Sequence, residues 1–276
     1  MKNCIVYIDD ILIFAKTEQE FVDKWLEILR RLHEVNLKIN AKKTELYRKE
    51  IKFCGRIFSA SGVSYDAEFI KSVSNMSPPK TAAELRSYLA SANWIRSSIC
   101  NYSALTEELQ ALVTVAQKAA GGSTKQVLQR IILSDIGWSG VHEMAFKRLN
   151  EAIANATTLA YPDDTLITCV TTDASDKSWA GIVTQVAREE TELPLSAQNH
   201  RPLAFVSGHF KDAELNWTTG EKEGFAVKET CVKASHLLQG SEPFIIHTDN
   251  LNLSYLFSSD VSISDMKKQA AARIER

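Results

Sequence analysis

The sequence has little of what would mark several common protein classes. No stretch of about 18 consecutive apolar residues occurs, so no helix is expected to cross a membrane. The N-terminus, Met1-Lys2-Asn3-Cys4, lacks the apolar run of a secretory signal. Cysteine is scarce and odd in number: Cys4, Cys54, Cys100, Cys169 and Cys231 lie far apart, with no pair at zinc or redox spacing. That excludes a disulfide scaffold and predicts reduced, mostly buried thiols in an intracellular protein. There is no HExxH, no Gly-rich phosphate loop and no Gly-x-Ser-x-Gly turn, which removes zincin, P-loop and α/β-hydrolase chemistry. The six histidines are scattered, and such histidines are mostly structural. The Trp and Phe residues sit at core spacing.

What remains is an ordinary globular composition, 45% hydrophobic and 24% charged over 276 residues, enough for about two domains. The formal charge of −2 conceals a basic excess before residue 118 and an acidic excess after it. Between Lys38 and Arg56 the chain carries Lys38, Lys42, Lys43, Arg48, Lys49, Lys52 and Arg56 against only Glu45 and Glu50. Such a cluster either contacts phosphates or is a plain solvated face.

The segment Cys4–Ala15 places Asp9-Asp10 between two apolar, β-rich halves, which predicts a buried hairpin with two carboxylates at its tip. Adjacent buried carboxylates need a counter-charge, and a divalent cation supplies one. Thr17 to Glu20 reads as a capping box, opening a helix with Phe21, Trp25, Ile28, Leu29, Leu32 and Val35 at helical spacing. Ile51–Val63 predicts a strand, a Ser-Gly turn and a second strand. Pro78-Pro79 breaks the chain, and helices are expected from Thr81 and near Trp94–Cys100. Ala119–Ser123 is the best linker candidate, followed by a helix over Trp138–Ala156. Strands are expected over Leu166–Thr172, Trp179–Val186 and Arg201–Ser207, then a long helix over Thr219–Leu238. A strand over Phe244–Thr248 and a short helix over Asn252–Phe257 complete a βββαβα order, the mark of a mixed sheet with packed helices.

Three further carboxylates sit at telling places. Asp173 and Asp249 each end a predicted strand, and Glu223 lies near the start of the long helix. Carboxylates from two strand ends and a helix can converge on one metal pair suited to phosphodiester hydrolysis. Taken singly, each also reads as a cap or surface residue.

Tyr7-Ile8-Asp9-Asp10 followed by Ile11-Leu12-Ile13-Phe14 resembles the reverse transcriptase signature, most closely that of gypsy-type long-terminal-repeat retrotransposons. The resemblance continues through Leu37-Lys38-Ile39-Asn40, Lys42-Lys43-Thr44-Glu45 and Phe53-Cys54-Gly55. Ser59-Ala60-Ser61-Gly62-Val63, Pro78-Pro79-Lys80 and Glu84–Leu89 extend it, as does Ala160-Tyr161-Pro162-Asp163. It covers residues 4 to about 258. The fold it implies is α+β / α/β: the C-terminal part of a reverse transcriptase palm (1–75), thumb-like helices (76–118), a connection (119–140) and a C-terminally truncated ribonuclease H-like mixed sheet (141–276).

By resemblance Asp9 and Asp10 are polymerase metal ligands, and Asp173, Glu223 and Asp249 are ribonuclease H ligands for Mg2+, with Mn2+ as a substitute. Glu221 is the competing choice on the helix. Lys42, Lys43, Arg48, Lys49, Lys52 and Arg56 then lie around a primer-gripping hairpin. The implied partners are RNA template, DNA primer, RNA–DNA hybrid and other Pol- or Gag-derived subunits, in cytoplasm, virus-like particle or nucleus. Asn250 departs from the family's usual His, and Gly220 and Gly224 replace larger residues. A further palm Asp and a fourth ribonuclease H Asp are expected outside this sequence, because Asp260 and Asp265 come too early for the fourth. These departures keep two alternatives open: a nucleic-acid-binding module without chemistry, and a decayed genomic copy.

Overall fold

The structure is a computed structural model in which residues 3–239, 243–250 and 253 are described. The helix expected over Asn252–Phe257 falls outside them apart from Leu253, which is helical and buried, and Asp260 and Asp265 fall wholly outside. The chain divides into two compact units, Met1–Ala60 and Ser61–Arg276.

In the first unit, strands β1 (Cys4–Tyr7) and β2 (Asp10–Ile13) form the expected antiparallel hairpin, with Tyr7 opposite Asp10. The hairpin is not buried. Val6 is 63% and Ile8 83% exposed, and Leu12 is its one buried hydrophobic residue. Among the described residues β1 and β2 form a two-stranded sheet, and the exposure of Val6 and Ile8 shows that its apolar side chains are left uncovered. Helix α1 (Glu18–Glu34) is capped by Thr17, whose hydroxyl accepts from the Glu20 amide at 3.2 Å. The return half of the predicted capping box is displaced by one residue, since the Glu20 carboxylate accepts from the Lys16 amide at 2.9 Å. Of the predicted apolar stripe only Ile28 is buried, and Val35 is 63% exposed. A second hairpin joins β3 (Glu50–Phe53) to β4 (Arg56–Ser59), turning at Cys54-Gly55, both with positive φ. The sequence pattern marks only the later Ser-Gly turn, because Cys54-Gly55 lies inside an apolar run.

The second unit begins with β5 (Gly62–Tyr65), so Ile51–Val63 contributes to three strands rather than two. Helices α2 (Ala67–Ser74), α3 (Ala82–Ile95), α4 (Tyr102–Ala120) and α6 (Gly140–Ala154) build a helical core, in which Leu85, Ile95, Leu109, Leu149 and Ile153 are fully buried. Thr81 and Glu84 close a capping box at the start of α3. No separate α-helix covers Trp94–Cys100: α3 runs to Ile95, a short 3-10 turn spans Arg96–Ser98, and α4 starts at Tyr102. The expected linker Ala119–Ser123 is the end of α4, where Gly121 takes the left-handed φ of +64° that closes many helices. The chain beyond it is packed rather than loose. Through the short α5 (Lys125–Leu128), Leu128 and Leu133 enter the same core.

A four-stranded sheet follows, in the order β8-β7-β6-β9. Strands β6 (Ile167–Ala174), β7 (Ser178–Val186) and β8 (Arg201–His209) run antiparallel, and β9 (Ile245–His247) pairs parallel to β6. The long helix ends earlier than its sequence pattern suggests: α7 (Thr219–Lys233) is capped at Ala234, and a separate turn, α8 (Ser235–Leu238), follows. Helix α7 packs so closely on one sheet face that a Cβ on Gly181 would stand 2.1 Å from Thr230 Oγ1. Helix α4 covers the opposite face, where Ser207 Oγ accepts from the Ser103 amide at 3.1 Å and from its hydroxyl at 3.0 Å. Arg96 Nη2 donates to the Ser207 carbonyl at 2.9 Å alongside. The cysteines are free, as expected, but only Cys169 is buried, while Cys54 and Cys100 are exposed. Cys54 turns a hairpin and Cys100 joins two helices, and neither position is packed over. Among the described residues no helix is long and apolar enough to cross a membrane.

Candidate active sites

Asp9 lies in the β1–β2 turn and Asp10 opens β2; both are exposed. The turn is held by Ile8 at φ +55°, a conformation costly for a β-branched residue. Exposure removes the desolvation that would force these carboxylates to find a counter-charge within the fold.

Of the basic cluster, Lys52 and Arg56 lie on the second hairpin, and Lys42, Lys43, Arg48 and Lys49 precede it. Lys42 and Lys43 are exposed on a 3-10 turn capped by Asn40, whose side chain accepts from the Lys42 amide at 3.0 Å. Arg48 pairs with Glu45 at 3.2 Å on the surface, and Lys49 is exposed. Lys52 opposes Ile57 and Arg56 opposes Phe53, so register places Lys52 and Arg56 on opposite faces. The Arg56 face also carries the apolar pair Phe53–Phe58, with ring centroids 6.2 Å apart. One flat strand of nucleic acid therefore cannot meet Lys52 and Arg56 through the same hairpin face.

In the sheet, Thr171 pairs with His247, and two residues beyond them lie Asp173 and Asp249. Adjacent strands lie about 4.8 Å apart, so both acids leave the same end of neighbouring strands. Glu223, in the first turns of α7, accepts a hydrogen bond from Asn250 Nδ2, which brings it to the segment carrying Asp249. Glu221 is occupied differently: its carboxylate accepts from the Thr218 amide at 2.9 Å and caps the helix. Thr172 opposes Gly181 on the α7 side, so Asp173 and its partner Ala180 belong to the α4 side. There Asp173 lines a cleft of about 50 Å³ with Asn101, Ala104, Ser175 and Ser178. The structure thus joins Glu223 to the Asp249 segment and leaves Asp173 facing α4. Among the described residues no three His, Cys, Asp or Glu side chains are arranged to hold a metal ion.

Two residues gain parts the sequence did not suggest. Asn250, noted only as a departure from the family's His, holds Glu223. Asn101 borders the Asp173 cleft, and its one sequence signal is an Asn ahead of a helix, which reads equally as a cap. It makes no side-chain cap bond, and its φ is +53°.

Comparison with known proteins places these elements. Residues 163–275 match the RNase H-like domain found in reverse transcriptase, and residues 1–58 match reverse transcriptase (RNA-dependent DNA polymerase). The chain is thus similar, at both of these segments, to the reverse transcriptases of retrotransposon Pol polyproteins. It is 26% identical over 92% of its length to the retrovirus-related Pol polyprotein from transposon gypsy of Drosophila melanogaster, and covers 23% of that protein. It is 28% identical over 91% of its length to the transposon Tf2-3 polyprotein of Schizosaccharomyces pombe, covering 17% of it. The chain therefore spans about a fifth of the curated relatives it matches. The fold agrees: a foamy viral protease-reverse transcriptase in complex with RNA/DNA hybrid matches all of this chain at TM-score 0.73 and 21% identity, over 34% of its own length. A second foamy viral protease-reverse transcriptase structure, in complex with dsDNA, matches 99% of this chain at TM-score 0.73 and 23% identity, over 51% of its length. The reverse transcriptase segment and the RNase H-like sheet expected from sequence are both present.

Proposed function

We propose that this chain works within a retrotransposon reverse transcriptase, in RNA-directed DNA synthesis and in metal-dependent hydrolysis of the RNA strand of RNA–DNA hybrids. Asp9 and Asp10 serve polymerisation, and Asp173, Glu223 and Asp249 serve hydrolysis. The observation that carries the second assignment is the placement of Asp173 and Asp249 at one end of adjacent parallel strands, with Glu223 drawn to the same end by Asn250.

An all-carboxylate donor set fits a hard, oxygen-seeking cation, Mg2+ with Mn2+ as substitute. Asp173, Glu223 and Asp249 would hold such an ion, whose charge would offset the mutual repulsion of carboxylates at close range. Such an ion, when bound, activates water and stabilises the leaving oxygen. The chain's own parts are then plain. Asn250 orients Glu223, Glu221 anchors the helix that carries it, and the sheet fixes the strand ends. Template RNA, primer DNA and their hybrid are the partners, met through phosphates by Lys42, Lys43, Arg48 and Lys49 and, according to which hairpin face is engaged, by Lys52 or Arg56.

The functional assignment of palm to 1–75, thumb to 76–118, connection to 119–140 and ribonuclease H to 141–276 cuts across one packed core. Leu128, Leu133 and α6 share that core with α3 and α4. The test is cleavage of a labelled RNA–DNA hybrid. Loss of the RNA strand that requires Mg2+ or Mn2+ and disappears in Asp249→Asn supports the reading; equal cleavage by Asp249→Asn contradicts it.

A second reading has its own support. No three-carboxylate metal group is assembled among the described residues, which favours a module that binds nucleic acid without chemistry. That module would bind hybrid with the same affinity in Asp249→Asn and in the unaltered chain, and neither would cut.

A further inference from the structure

Away from these carboxylates, two imidazoles meet over the sheet. His200 immediately precedes β8, and its ring reaches Thr184 of β7 on the sheet face that also carries Cys169 and Thr171. His200 Nδ1 lies 2.8 Å from Thr184 Oγ1. His247 lies on β9 opposite Thr171, on the same face. The two rings stand edge to face with centroids 6.2 Å apart. The Nε2 atoms of both are enclosed, and neither has a hydrogen-bond partner.

A buried polar atom without a partner costs free energy, and two on neighbouring rings call for a shared explanation. With the His200 proton on Nδ1 and donated to Thr184, the Nε2 lone pair is left free, and this needs no heavy atom to move. Metal-binding histidines are oriented in this way by the bond at the other ring nitrogen. We propose that His200 and His247 form a two-imidazole site for a borderline divalent cation of the Zn2+ class.

Imidazole donors without a carboxylate select Zn2+, Cu2+ or Ni2+ over Mg2+ and Ca2+. Among the described residues no third His, Cys, Asp or Glu is placed to complete a cage, so the two imidazoles are the side-chain donors of the site. A bound ion would tie the loop before β8 to β9, the short strand that leads into Asp249. The site does not rest on the proposed hydrolytic role, since it uses none of its carboxylates.

The experiment is a titration of the full chain with zinc sulfate in competition with a chromophoric chelator, thiols kept reduced. Co2+ absorption serves as a second probe. The expected result is one Zn2+ per chain, retained in Glu223→Gln and lost in both His200→Gln and His247→Gln. Thr184→Val keeps the shape of the side chain and leaves both imidazoles, so it guards against a folding artefact. It should weaken binding by about tenfold through loss of the orienting hydroxyl. Absence of Zn2+ binding overturns the proposal, as does binding that survives both histidine substitutions. Zn2+ binding lost in Glu223→Gln but kept in His247→Gln would move the ion to the carboxylates and equally overturn it.

Discussion

Gly181→Ala is the sharpest probe of the packing that positions α7. The added Cβ would stand 2.1 Å from Thr230 Oγ1, 2.5 Å from its Cγ2 and 2.8 Å from its Cβ. Rotation of Thr230 about χ1 moves the first two atoms and leaves the third, so the helix itself must shift. Overpacking of a tight core typically costs about 1–3 kcal/mol. Thr230 is fully buried, which removes easy escape and points to the upper half of that range. Thr230→Ala removes the two closest atoms and also a buried hydroxyl that has no partner. The double variant should therefore recover about half of the loss, with a coupling of at least about 1 kcal/mol in a double-mutant cycle. Urea unfolding of the four proteins gives the cycle directly. Glu223 lies two turns along the same helix, so Gly181→Ala should also disturb the Glu223–Asn250 contact, visible as a shift of the Asn250 side-chain amide resonance. A loss below about 0.5 kcal/mol for Gly181→Ala, the level of an ordinary surface change, would show that α7 does not press on the sheet as described.

Other consequences are open to the same methods. Ser207→Ala leaves the buried Ser103 amide without its acceptor and should cost about 1–3 kcal/mol in urea unfolding; an unchanged midpoint would deny that contact. Gly62→Ala sets a Cβ 2.1 Å from the Leu159 carbonyl oxygen at a φ of +138°, and should lower the thermal midpoint more than Gly122→Ala, where nothing lies within 4 Å. Burial, with Arg96 adding to it and Glu107 opposing, holds His209 below the ordinary histidine value. The folded chain then binds fewer protons there than the unfolded chain, so this contribution is intact above about pH 6.5 and is lost as pH falls toward the lowered value. His209→Gln should flatten that acid limb of stability, and an identical limb would remove His209 as its source. Changing Lys42 and Lys43 to Ala should flatten the slope of log affinity for hybrid against log salt by about 0.9 per lost phosphate contact; an unchanged slope returns the cluster to a solvated face.

How far the sequence reached can be followed residue by residue. Strand ends at Asp173 and Asp249 and a helix at Glu223 were legible because alternation and helical spacing are local signals. Which sheet face Asp173 takes was not. That parity is fixed by the close approach of Thr230 to Gly181, a contact between residues far apart in the chain. The carboxylate turn at Asp9-Asp10 was legible, whereas its exposure was not, since burial of a hairpin depends on what covers it. Gly121 reads as a linker in sequence and is a helix stop in space, because the same left-handed φ serves both. Asn250 departs from the family's usual His, and its amide supplies the donor that holds Glu223.

In the proposed function, Asp173, Glu223 and Asp249 serve one divalent ion. Substoichiometric Mn2+ tests it without relying on turnover, because paramagnetic broadening falls steeply with distance. The account predicts that resonances of all three residues broaden together, and that Asp249→Asn weakens the effect at Asp173 and Glu223 as well. Broadening at Glu223 and Asp249 with Asp173 left sharp would contradict it, and would leave Asp173 as a residue of the cleft beneath α4.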